Sequence, residues 1–176
     1  FAHDLSERYG DFLGALLHPL SALDHALAFC AIGLYAGLRH ARWSVIAFVL
    51  ALLVGALLPS FIAVGAVPFM GLVNAGSVLV LGALTAFATT LPFTAMVALS
   101  ISFGLSHGFE NGSDLIGISA WHAALGVAAA GIALTVPAAA LAHALPPGYP
   151  RVAVRVAGSW IAAIGLMVFG LQLRQL

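Results

Sequence analysis

The chain has 176 residues, of which 62% are hydrophobic and 7% charged; six arginines, with no lysine, balance six acids. Soluble domains carry roughly a quarter charged residues, so a water-soluble fold is excluded and lipid is the expected solvent. The absence of a basic patch argues against nucleic-acid binding, and Cys30, the single cysteine, excludes an internal disulfide.

In chain order, residues 1–19 read as an external N-terminal segment with an amphipathic stretch at about 5–17. Residues 20–176 read as an all-α bundle of six transmembrane helices, so that 1–176 is one domain of a polytopic membrane protein. The apolar windows are about 20–38, 44–67, 70–90, 92–107, 115–141 and 152–173. The fifth exceeds what a bilayer needs and is expected to tilt or break near Pro137. Arg39, Arg42, Arg151 and Arg155 fall on one side of this arrangement, which the positive-inside rule makes cytoplasmic; both termini are then periplasmic. A chain opening on Phe1 fits removal of a signal peptide and a multi-pass place in a bacterial inner membrane. With three spans per half, any relation between the halves would be inverted, but no internal sequence repeat is legible.

Ionisable side chains at membrane depth cost several kcal/mol unless paired, hydrated or bound, so they are the functional candidates. The first set is "HPLSALDH", His18 to His25, with Asp24 beside His25. On a continuous helix His18 and His25 share a face. Pro19 suits a first helical turn, and His18 then also reads as a simple cap. The second set is "SHGFENG", in which His107 and Glu110, three apart, share a face. Six spans bring both sets to the outer side at similar depth. Three imidazoles and two carboxylates make a mixed nitrogen and oxygen ligand set suited to Ni, Co, Cu, Zn or Fe. His122 in the fifth span reads equally as a deeper ligand or as a donor to a neighbouring helix carbonyl. His40 and His143 read as surface residues of the inner side. At the N-terminus, "FAH" could close a square of four nitrogens on Cu(II) or Ni(II) through a free amine, two amides and His3.

The motif "HPLSALDH" resembles the H-x5-D-H signature of the HupE/UreJ family, small membrane proteins of hydrogenase and urease gene clusters regarded as nickel permeases. The resemblance covers nearly the whole chain. The family's second motif, approximately F-H-G-x-A-H-G-x-E, aligns with "SFGLSHGFE": His107, Gly108 and Glu110 match, while Phe103 stands where a histidine is usual. His122 matches a histidine often seen in span five. The resemblance implies secondary transport of a divalent transition metal, nickel first with cobalt, zinc or copper as alternatives, from periplasm to cytoplasm for metalloenzyme maturation. It implies metal ligands at His18, Asp24, His25, His107, Glu110 and His122, with His3 added from the terminal motif. The partners expected are the metal ion and membrane lipid, with homo-oligomerisation or membership of a larger membrane assembly open. The competing reading is a non-transporting structural subunit that retains a metal site. Carboxylates beside the histidines argue against a bis-histidine haem. No enzyme is expected.

Overall fold

The computed structural model describes residues 9–63 and 69–174. His3 lies outside them. The regular elements among the described residues are helices: α1 (Asp11–Ser21), α2 (Leu23–Leu38), α3 (Arg42–Leu57), α4 (Met70–Phe87), α5 (Phe93–Asp114), α6 (Ala120–Ala144) and α7 (Tyr149–Leu173), with a 3-10 turn at Leu58–Ser60. A backbone in hydrocarbon must satisfy its own N–H and C=O groups, and a helix does so within one segment. With their extensions, α3, α4, α6 and α7 are long and apolar enough to cross a membrane; α1 and α2 make a fifth crossing if the bent pair is one span. The chain is thus a multi-pass helical membrane protein. At 22 residues α5 is also long enough, but Ser106, His107, Glu110, Asn111 and Asp114 dilute its apolar run.

Two expectations about element boundaries are corrected. The first apolar window is not one straight helix: the chain bends by 79° between α1 and α2, at Ala22, which is extended (φ −93°, ψ 110°). The fifth window does not begin at 115. Residues 115–119 form turns, and α6 starts at Ala120 and continues through Pro137 without a break. Proline costs α6 one backbone bond, and close packing against α2 holds the helix on both sides of it.

From α2 onward successive helices alternate in direction, so one end of the bundle carries His25 and Asp114, with His18 beside them, and the other carries Arg39, Arg42, Arg151 and Arg155. At this arginine end Arg155 Nε donates to the Ala86 carbonyl at the close of α4 (2.8 Å), and Arg151 Nε to the Leu145 carbonyl at the close of α6 (3.2 Å). Both satisfy helix-terminal acceptors and complement the helix dipole.

Lipid provides no hydrophobic drive between helices, so association rests on close packing at small residues. The stripe Gly104, Gly108 and Gly112 of α5 lies on α3: a Cβ on Gly108 would stand 2.9 Å from Gly55 Cα and Ala56 N. Gly33 and Gly37 of α2 lie on α6 in the same way, with a Cβ on Gly37 falling 2.8 Å from Ala142 Cβ. The correspondence is detailed. Gly33 and Gly37 face the carbonyls of Thr135 and Ala139; Gly104 and Gly108 face those of Phe48 and Leu52. Between α4 and α7, Gly82 faces Ala162 while Gly158 faces Ala86. The contacts of α2–α4 are therefore repeated by α5–α7 with the chain direction reversed, an inverted repeat of packing without a repeat of sequence.

Candidate metal centre

The corner between α1 and α2 is built by local chemistry. Pro19 lies in the last turn of α1 and has no N–H to give to Ala15. The His18 carbonyl accepts from Ser21 Oγ (2.9 Å) and from the Ala22 N–H (3.1 Å). The continuous helical face proposed for His18 and His25 is thus replaced by two helices meeting at a bend, with the imidazoles at 6.2 Å between ring centroids.

From the other half of the chain, α5 brings His107, and the glycine stripe decides its depth. Because α5 lies backbone-to-backbone on α3, His107 is wholly buried and His25 is 3% exposed. Their Nδ1 atoms are 3.2 Å apart. Two nitrogens bound side by side to one ion at about 2.0–2.1 Å stand roughly 2.9–3.4 Å apart between right-angle and tetrahedral geometry. The pair already has the bite of a single transition ion.

The tautomer of His107 follows from its neighbour on α4. Ser77 Oγ donates to the Asn74 carbonyl (2.7 Å), which leaves its lone pairs to accept from His107 Nε2–H (2.7 Å). With that proton on Nε2, His107 presents a bare Nδ1 toward His25. An outer partner that orients a ligating imidazole in this way tunes its metal affinity. Asn74 donates both to the Glu110 carboxylate and to the Ser106 carbonyl, holding Glu110 against the same centre.

Two sets of three possible ligands result. His18, His25 and Asp114 have donor atoms within 4.8 Å of one another, and so do His25, His107 and Glu110. His25 belongs to both. His18 Nε2 lies 3.3 Å from Asp114 Oδ2; the histidine side chain is 11% exposed and the aspartate 52%. Exposure thus falls across the sets, from a partly wet carboxylate through the shared His25 to a dry His107. Beyond His107 the packing is apolar: Phe29 lies edge-on to His107 and to Phe48 (5.9 and 5.4 Å), and Ile32 and Leu52 are buried there.

The remaining predicted residues lie elsewhere. Asp24 is half-buried and in neither set; it lines a cavity of about 230 Å³ with Leu27, Val78, Ile164 and Met167. His122 is exposed in a surface groove with Tyr9, Asp11 and Phe12, apart from both sets. Phe103 packs partly buried against the main apolar core.

A family model described as HupE / UreJ protein matches residues 1–168. The chain belongs to the HupE / UreJ family. No curated protein and no solved structure matched it. Membership in HupE / UreJ supports metal transport and metalloenzyme accessory work as the family's business, and gives no support to catalysis.

Within this HupE / UreJ member, sequence reasoning overlooked three contributors: Asp114, Asn74 and Ser77. Asn74 and Ser77 are three apart on the buried face of α4, the only visible signal of a shared polar task. Ser77→Ala is expected to free His107 to switch tautomer and to weaken nickel or cobalt binding about 10–100-fold. One neutral hydrogen bond is worth only about 1 kcal/mol to the fold. Calorimetric titration beside a thermal melt checks this; unchanged affinity would remove Ser77 from the centre.

Proposed function

We propose that this protein is a secondary permease for a divalent transition-metal ion, nickel foremost, working in a bacterial inner membrane. In this reading α5 is the sixth crossing, tolerated in lipid because its polar face is turned onto α4 and α2. The arginine end is cytoplasmic and the His18 end periplasmic, with both termini on the periplasmic side. The observation that carries the proposal is the sharing of His25 between two sets of three ligand donors, one reaching solvent at Asp114 and one reaching the fully buried His107. A static structural ion needs one closed site; two overlapping sites suit an ion that is handed on.

The ion is received by Asp114 and His18, passes to His25, and is held deepest by His107 and Glu110. Asp24 adds negative charge beside the path. His122 takes no part in holding the ion in this reading. A membrane potential of about 100 mV, inside negative, favours inward movement of a divalent cation by roughly 4–5 kcal/mol.

Uptake of radioactive nickel into proteoliposomes carrying an inside-negative potential tests the assignment. Saturable accumulation, competed by cobalt, is the expected result. Tight metal binding without accumulation would instead identify a structural subunit with a static ion.

A further inference from the structure

At the arginine end, α2 closes with a left-handed residue that is not glycine. His40 has φ +56°. The Ala41 N–H reaches back to the Ala36 carbonyl (2.8 Å) and the His40 N–H to that of Gly37 (3.3 Å), the paired bonds of a Schellman ending. Glycine is the usual residue there because a Cβ is crowded by the backbone in this conformation. His143, in the last turn of α6, meets His40 across the helix pair. Their ring centroids are 4.5 Å apart, nearly perpendicular. The proximity comes from Gly37, which lets α2 rest on the backbone of α6 at Ala139 and Ala142, one turn from both histidines.

Both imidazoles are exposed and line a cavity of about 420 Å³ with Gly37, Arg42 and Ala139. Their reading as unrelated surface residues is therefore replaced by a pair. Burial does not require this contact, and solvent is available to both rings. Two imidazoles with open neighbouring positions, filled by water, are a familiar donor set for nickel, cobalt, copper and zinc.

We infer that His40 and His143 form a second, weaker binding site for a divalent transition-metal ion. No carboxylate lines this cavity, and Arg42 does, its guanidinium 5.4 Å above the Trp43 ring. The site at the other end has Glu110 and Asp114 among its possible ligands. A cation is accordingly held less tightly at the His40 pair. The two sites sit at opposite ends of α2, whose 16 residues span about 24 Å. If the permease reading holds, the pair is the release station, and weak affinity is what release requires.

The test uses the full chain in detergent with Co(II) as the probe. A His25→Ala, His107→Ala background disables the deep centre without touching the pair. In it, one weakly bound cobalt is expected, seen by equilibrium dialysis and by its visible absorption. Losing even an outer partner of a ligand costs about 10–100-fold, so His40→Gly or His143→Gln should weaken that cobalt at least tenfold. Glycine keeps the left-handed backbone, so His40→Gly should melt no lower than its parent, which separates lost binding from lost folding. Cobalt binding unchanged by both substitutions would overturn the site. No transport is measured, so failure of nickel uptake in liposomes would overturn the permease reading and leave this one standing.

Discussion

His25→Ala is expected to bring nickel and cobalt uptake down to background, a loss of at least 100-fold by the standard of roughly 10–100-fold for a mere outer partner. One substitution removes a ligand from both sets, because His25 lies within 4.8 Å of donors in each. It also strands His107, whose Nδ1 loses its neighbour at 3.2 Å while Ser77 still holds Nε2. His18→Ala strips only the outer set and should slow uptake by about tenfold, as for loss of a supporting partner. Asp24→Asn, outside both sets, should raise the half-saturating nickel concentration with little change in the maximal rate. The measurement is radiotracer uptake normalised to protein in the membrane. Comparable uptake by His25→Ala and the wild type would refute the path.

Gly108→Leu should be the most damaging change to the fold. A Cβ there meets the Leu52 carbonyl, Ala56 N and Gly55 Cα, all backbone atoms of α3. Flexible side chains can step aside, but a helix backbone moves only as a unit. The expected cost is roughly 3 kcal/mol or more, the upper end of overpacking. Because α5 carries His107, Glu110 and Asp114, separating it from α3 also disperses both ligand sets. Gly170→Leu is the control: a Cβ at Gly170 meets nothing within 4 Å. Protease sensitivity and thermal melting in detergent should distinguish the two variants clearly. Equal melting temperatures would mean that α3 and α5 are not in backbone contact.

Much of the centre was legible because lipid makes ionisable residues conspicuous. His25 and His107 stand out in apolar windows, where each would cost several kcal/mol alone, and Glu110 follows one turn after His107. Ser77 and Asn74 did not stand out. A hydroxyl can bond back to its own helix, as Thr85 and Ser100 do here, so a serine in a span carries no comparable alarm. Asp114 was legible as an acid but not as the neighbour of His18, because the bend at Ala22 redirects α1 and no spacing rule survives a break of 79°.

Hydropathy and the cost of bare polar groups in hydrocarbon determined, from sequence alone, that this chain lives in a membrane as helices, and marked His18, Asp24, His25, His107, Glu110 and His122 as its candidate ligands. Those arguments concern position along an axis, and periodicity serves them well. Which faces meet is a matter of rotation about the axis, and that was decided by glycines lying on neighbouring backbones: Gly108 on Leu52, Gly37 on Ala139. The same contacts leave His122 at the surface, turn Asp24 toward α7, and bring His40 to His143. A glycine's part in such packing depends on the atom opposite it, and only the tertiary structure supplies that atom.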